Sequence, residues 1–281
     1  MKKISSLSEL REISRSWHLQ EEIIGLVPTM GALHVGHLSL VDLIKPHADK
    51  VITTIFVNPK QFNQSSDFEN YPNTIDDDCA LLEQKGVDLV FIPKAEDIYP
   101  QGYATNINVT GLSDGLCGAY RPGHFEGVAT IVAKLFLMTA ADKAIFGEKD
   151  WQQLQIIKRM AQDLNINIDI LSAPTMREAN GLAMSSRNKR LPEEMLQTAG
   201  KLSKILFETA DLINQYPNQI EKQLLEAKEK IIASGFEKVE YLELCQSDNL
   251  QSCQQRLPHQ DYRLLTAAWL SNIRLIDNIA V

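Results

Sequence analysis

The chain is poor in cysteine and arranges none of it in a pattern. Cys79, Cys117, Cys245 and Cys253 are the only four in 281 residues, with no CxxC and no spacing suited to zinc. A disulfide framework is not expected in a core of this size, so reduced thiols in a cytoplasmic compartment are the expectation. Positive charge is also short: 28 Lys and Arg against 36 Asp and Glu leave a formal net charge of −8. That argues against a sequence-independent grip on nucleic acid, which needs a basic surface. It leaves room for anionic small molecules, which a few local basic groups can hold. No run is long enough to cross a bilayer, since the most apolar stretch, Val128 to Ala141, is short and interrupted by Lys134. No signal core follows Met1-Lys2-Lys3, because Ser5 to Glu12 reads as the start of an amphipathic helix. Repeats and low-complexity segments are absent.

What is present is an ordinary globular composition, 44% hydrophobic and 23% charged. The length allows one large domain or, the expectation here, two of unequal size. Ile23 to Val27 is a short apolar run that reads as a buried parallel strand. Pro28-Thr29-Met30-Gly31-Ala32-Leu33-His34-Val35-Gly36-His37 follows, and then a helical pattern from Leu38 to Lys45, stopped by Pro46. The ten residues therefore form a strand-to-helix turn, with Gly31 and Gly36 expected at its sharp places. A helix start offers unpaired N–H groups and a partial positive charge, both suited to phosphate. His34 and His37, three apart, project on one side of that first turn. The pair admits three readings: satisfied surface polars, two ligands of a metal lacking further ligands at metal spacing, or donors to nucleotide phosphates.

Downstream, Val51 to Val57 is a β-branched strand running into Asn58-Pro59-Lys60-Gln61, a polar turn at a strand's carboxyl end, where open α/β sheets place ligands. Gln61 is there either as a solvated residue or as a ligand contact. Asp76-Asp77-Asp78 opens a helix and is explained by the helix dipole, with a magnesium role as the alternative. Leu89 to Ile92 is a third strand. From Pro100 to His124 the chain reads as loop, apart from a short strand over Thr105 to Val109. The glycines around Arg121 and His124 fit a mobile cover or a plain surface loop. An apolar helix from Phe125 to Ala140 and a strand from Lys143 to Phe146 lead to a second strand–glycine–helix junction, Gly147-Glu148-Lys149-Asp150. Lys149 brings positive charge to it, Asp150 is a ligand contact or an N-cap, and Gln153 follows on the helix Trp151 to Leu164. A strand over Asn167 to Ala173 precedes Pro174 to Asn188, a small polar segment that is either a linker or, through Ser185, Ser186 and Arg187, a phosphate site. Strands alternating with helices predict a parallel sheet. Two helices (Glu193–Tyr216, Gln219–Ser234) and then three strand-like runs (Val239–Leu244, Tyr262–Ala268, Ile273–Ile276) predict a smaller α+β domain.

Taken in order, PTMGALHVGH, FVNPKQF, RPGHF, FGEKD and REANGLAMSSRN resemble the pantothenate synthetase (pantoate–β-alanine ligase) family over residues 23 to 278. The first and last also resemble the HxGH and KMSKS signatures of the wider nucleotidyltransferase superfamily. Here Met184-Ser185-Ser186-Arg187 closes on arginine, as the ligase family does. The resemblance implies a Rossmann-like parallel sheet with helices on both faces in residues 1–175, which bind nucleotide and pantoate, and a smaller α+β lid domain in 176–281. It implies a cytoplasmic homodimer that uses ATP with Mg2+, pantoate and β-alanine and forms a pantoyl adenylate. It assigns catalysis to His34, His37 and Lys149. Met30, Gly31, Ala32, Leu33, His34, Val35, Gly36, His37, Gly147, Glu148, Lys149, Asp150, Met176, Met184, Ser185, Ser186 and Arg187 would line the ATP site, Gln61 and Gln153 would hold pantoate, and no residue is assigned as a resident metal ligand. The rivals are a nucleotidyltransferase acting on a phosphate acceptor and a nucleotide-binding protein without turnover.

Overall fold

The computed structural model describes residues 1–63, 68–69 and 71–281. Six strands form one parallel sheet: β1 (Lys2–Ile4), β2 (Ile24–Thr29), β3 (Lys50–Ile55), β4 (Leu89–Phe91), β5 (Lys143–Gly147) and β6 (Asp169–Ala173), in the order β1-β4-β3-β2-β5-β6. The longer helices among them are α1 (Leu7–Leu19), α2 (Val35–Ile44), α3 (Ile75–Gln84), α4 (His124–Thr139) and α5 (Trp151–Asp163). Ile24, Gly25, Leu26 and Val27 are buried in succession. Burial without alternation means that both faces of the sheet are covered. Leu40, Val41 and Ile44 of α2 share one apolar cluster with Cys79 and Leu82 of α3 and with Val27, Val51 and Ile55. α1 and α4 pack on each other and on β2. The parallel sheet with covering helices is the architecture expected.

The direction of growth reverses at β2, which has β3 on one side and β5 on the other. Such a switch point opens a crevice at the carboxyl ends of the strands. The turns after β2, β3 and β5 all begin there.

Several expected details differ. α2 begins at Val35, not Leu38, and Pro46 lies within a short 3-10 turn, Lys45–His47, that extends it. Gly36 is therefore inside the first turn of α2; the sharp place is Gly31 with Ala32, at φ +82° and +51°. No strand forms over Thr105–Val109. The Ile107 amide donates to the Thr130 hydroxyl at 2.9 Å instead of to a neighbouring strand. The edge strand β1 was not expected from the sequence.

The chain divides into two compact units, Met1–Glu148 with Ile156–Pro174, and Lys149–Gln155 with Thr175–Val281. Residues 149–155 thus belong with the second unit, where the sequence reading had placed them in the first. In the second unit α6 (Glu193–Gln215) and α7 (Ile220–Ala233) pack on an antiparallel sheet of β7 (Lys238–Gln246), β8 (Tyr262–Leu270) and β9 (Ile273–Ala280). Leu264, Ala268 and Leu270 of β8 and Ile273, Leu275 and Ile279 of β9 face the helices, joining Leu202, Leu206 and Ile231. No helix among the described residues is long and apolar enough to cross a membrane.

Candidate active site

In the first unit, the backbone of the β2–α2 turn is fixed by a carboxylate distant in sequence. Asp78, 2% exposed on α3, accepts from the Leu33 amide through Oδ1 at 2.8 Å and from the Ala32 amide through Oδ2 at 2.9 Å. The Thr74 hydroxyl donates to Oδ2 as well, at 3.1 Å. Asp76 and Asp77 remain exposed in the first helical turn, as a dipole role requires. Asp78 departs from that reading, because its carboxylate is committed to the turn that carries the histidines. Gly31 is required there twice over: its φ is positive, and a Cβ would lie 3.0 Å from Asp78 Oδ2.

With the turn so held, His34 becomes the N-cap of α2. Its Nδ1 accepts from the Gly36 amide at 3.1 Å. In the neutral ring the proton then sits on Nε2. The His37 ring stands with its centroid 4.1 Å from that of His34, tilted by 41°. Two imidazoles thus face one helix N-terminus at the carboxyl edge of the sheet. This is the same-side projection expected from their spacing.

Gln61 ends the 3-10 turn Pro59–Gln61 after β3. Its Oε1 accepts from Asn58 Nδ2 at 3.1 Å, and its Nε2 lies against the Met30 sulfur. Asn58 is 1% exposed; its Nδ2 also donates to the Gly127 carbonyl at 3.1 Å, and its Oδ1 accepts from the Tyr99 phenol at 2.8 Å. Burial pushes the Tyr99 phenol well above its ordinary value, which keeps it a donor. Asn58 therefore fixes which way the Gln61 amide points: oxygen inward, N–H groups outward against a weak acceptor.

The glycine-rich segment before α4 grips the same turn. His124 Nδ1 lies 2.7 Å from the Gln61 carbonyl and must donate to it. Its Nε2 is then an acceptor for Arg121 Nη1, 3.0 Å away. Asn63 Nδ2 donates to the Pro122 carbonyl. Gly127 allows this approach, since a Cβ there would stand 2.4 Å from the Lys60 carbonyl oxygen. Arg121 and His124 are thus part of the support of Gln61.

Gly147 closes β5, and Glu148 accepts from the Ser172 hydroxyl at 3.1 Å. A Cβ at Gly147 would meet nothing within 4 Å, so packing does not demand glycine there.

The second unit carries the other expected residues. Lys149 and Asp150 continue the 3-10 turn that leads into α5. Gln153 is half-buried two residues into that helix. Met176 and Met184 are brought together across a hairpin-like segment, with the Met184 amide donating to the Met176 carbonyl at 2.9 Å. The Ser185 side chain accepts from the Arg187 amide at 3.3 Å and so starts the 3-10 turn Ser186–Arg190. Gly181, at φ +91°, and the Arg177–Ala183 bridge hold this segment in one shape. No group of three His, Cys, Asp or Glu suited to a metal ion occurs among the described residues.

A six-stranded parallel sheet with a histidine pair at its switch point places the chain among Rossmann-like α/β proteins of the HxGH type. The family model described as pantoate–β-alanine ligase matches residues 2–280, and the chain belongs to that family. It is 50% identical over 282 residues to the pantothenate synthetase of Roseobacter denitrificans, covering 99% of this chain and 97% of that one. Among solved structures it resembles pantothenate synthetase from Thermus thermophilus, with 38% identity, a TM-score of 0.90 and 99% of each chain covered. It also resembles the Francisella tularensis pantoate–β-alanine ligase complexed with β-γ ATP and β-alanine, with 36% identity, a TM-score of 0.83, and 100% and 97% covered.

Proposed function

We propose that the protein joins pantoate to β-alanine with consumption of ATP, through a pantoyl adenylate. In the first half-reaction a pantoate carboxylate oxygen attacks the α-phosphorus of ATP. The bond to the bridging oxygen breaks, and pyrophosphate leaves. In the second, the β-alanine amine attacks the acyl carbon of the mixed anhydride, AMP departs with the bonding pair, and the amine loses a proton. Neither step needs an enzyme nucleophile; both need alignment and donors aimed at growing negative charge.

The observation that carries this reading is the imidazole pair at the start of α2, in a chain matching the ligase family over residues 2–280. His34 Nε2–H and the His37 ring serve as donors to phosphate oxygens, assisted by the amino end of α2. Lys149 and the Ser185-Ser186-Arg187 segment supply further donors, and Met30–His37, Gly147–Asp150, Met176 and Met184 line the nucleotide. Gln61 offers N–H groups to an oxygen of pantoate, since Asn58 occupies its carbonyl oxygen. Gln153 contributes a second amide. Magnesium enters with ATP, as part of that substrate. The relative complexed with β-γ ATP and β-alanine supports this choice of substrates. The enzyme works in the cytoplasm as a homodimer.

The test is AMP formation with each substrate omitted in turn. Pyrophosphate release should require pantoate, and AMP release should require β-alanine as well. Pyrophosphate release on a phosphorylated acceptor in place of pantoate would point to a nucleotidyltransferase. ATP binding without turnover would point to a non-catalytic protein. Sedimentation equilibrium tests the dimer.

A further inference from the structure

The second unit contains a buried polar chain that the reaction outlined above does not use. Asp277 and Asn278, each 4% exposed, are neighbours on β9. Adjacent residues of a strand point to opposite faces. Asp277 lies on the side of Leu275 and Ile279, which face α6 and α7. There its carboxylate holds Arg177 in a two-pronged pair at 2.6 and 2.9 Å. Arg177 Nη1 also donates to the Gly181 carbonyl at 3.1 Å, closing the tip of the segment that pairs Met176 with Met184.

Asn278 points the other way. Its Nδ2 donates to the Lys149 carbonyl at 2.9 Å, and its Oδ1 accepts from Arg263 Nη1 at 2.6 Å. Arg263 lies on β8, diagonal to Asn278, and its guanidinium carbon stands 3.4 Å from the centroid of the Trp151 ring. The indole N–H of Trp151 donates to the Ser247 carbonyl at 2.8 Å. The turn bearing Lys149 is thus bound to the sheet through Lys149 and Trp151, one contact polar and one stacked.

We infer that Asp277 and Asn278 are positioning residues that register the Lys149 turn and the Met176–Arg187 segment to a single strand. Both segments carry groups assigned above to phosphate, so the inference rests on that reading for its catalytic meaning. A strand held by antiparallel partners is a stiff reference. Two loops tied to adjacent residues of it keep a constant separation, which loops anchored independently would not. Neither residue touches substrate; each acts through the loop it holds.

Hydrogen exchange on the ligand-free chain tests the placement without calling on catalysis. Asn278→Ala should speed exchange at residues 149–152 by about tenfold or more, and Asp277→Asn should do so at 177–184, with α6 unchanged in both. No change, or a uniform rise across the unit, would overturn the inference. Asn278→Asp sharpens the test, because it still accepts from Arg263 but cannot donate to the Lys149 carbonyl. It should lose turnover as Asn278→Ala does, about tenfold or more; wild-type turnover in Asn278→Asp would overturn the inference. The double variant Lys149→Ala/Asn278→Ala should be slower than Lys149→Ala by less than the Asn278→Ala factor. Fully multiplicative losses would mean that Asn278 does not act through Lys149. A wild-type enzyme that forms no AMP would sink the proposed function instead, and the exchange data would still decide this point.

Discussion

Removing the Asp78 carboxylate is the most informative single perturbation of the first unit. Asp78→Ala strands the amides of Ala32 and Leu33, residues only 5% and 6% exposed, together with the Thr74 hydroxyl. A buried donor left unpaired costs about 1–3 kcal/mol, so the two amides together put the loss at about 2–6 kcal/mol. For a chain of this size that corresponds to a fall in melting temperature of about 5–15 °C, readable by circular dichroism. The effect on chemistry is larger than stability alone implies. Ala32 is held at φ +51°, a conformation a non-glycine residue keeps only under constraint. Once released, the turn relaxes and His34 and His37 lose their placement, and turnover should fall by about a hundredfold. Asp78→Asn should fall between, because its amide retains one acceptor but sets an N–H against a backbone N–H. Asp78→Glu should not rescue, since both carboxylate oxygens already sit at hydrogen-bond distance from the Leu33 and Ala32 amides, 2.8 and 2.9 Å, and an added methylene at a buried position drives the carboxylate past them. Turnover is measured as pantoate-dependent pyrophosphate release. Wild-type turnover in Asp78→Ala, or full rescue by Asp78→Glu, would refute the argument; the second result would show that charge matters and placement does not.

His37→Ala should reduce adenylate formation by orders of magnitude with the melting curve little changed; near-normal activity would mean the pair is only a polar helix start. Gln153→Ala should raise the KM for pantoate by about tenfold or more and lower kcat, with less effect on ATP; an equal rise for ATP would move Gln153 to the nucleotide site. Burial pushes the Cys245 thiol up to about 12. The folded chain then holds that proton more tightly than the unfolded one, so this contribution is intact below the ordinary thiol value and is lost as pH rises towards 12. At pH 8 a thiol reagent should leave Cys245 unmodified until the chain is unfolded, and labelling at the same rate in native and denatured protein would contradict its burial.

The strands and turns of the parallel sheet were legible because each has a strong local signature. Ile24–Val27 is apolar without interruption, Gly31 precedes a histidine pair at helical spacing, and Gly147 repeats a strand–glycine–helix junction. The three-residue spacing puts both histidines on one side of the helix start, and the ring centroids stand 4.1 Å apart. The expected strand over Thr105–Val109 did not form, and the Ile107 amide donates instead to the Thr130 hydroxyl, a partner 23 residues away that leaves no local mark. Edge strand β1 is three residues long, too short to show alternation.

The supports of the site were not legible, and the reason is common to them. Asp78, Asn58, His124 and Asn278 all act by bonding groups far along the chain, mostly backbone amides and carbonyls. Every residue has those groups, so the partner leaves no mark on the sequence. Asp78 looked like one of three dipole-favoured carboxylates, and nothing local separates it from Asp76 and Asp77. What separates them is burial, which the i, i+3, i+4 pattern of α3 could have suggested: Asp78 shares its buried face with Leu82, and Cys79 lies beside it. A carboxylate on the apolar stripe of a helix must find donors inside the fold. Read with that rule, a charge on a buried face points to the loop it serves, even when the loop itself is not identified by the sequence.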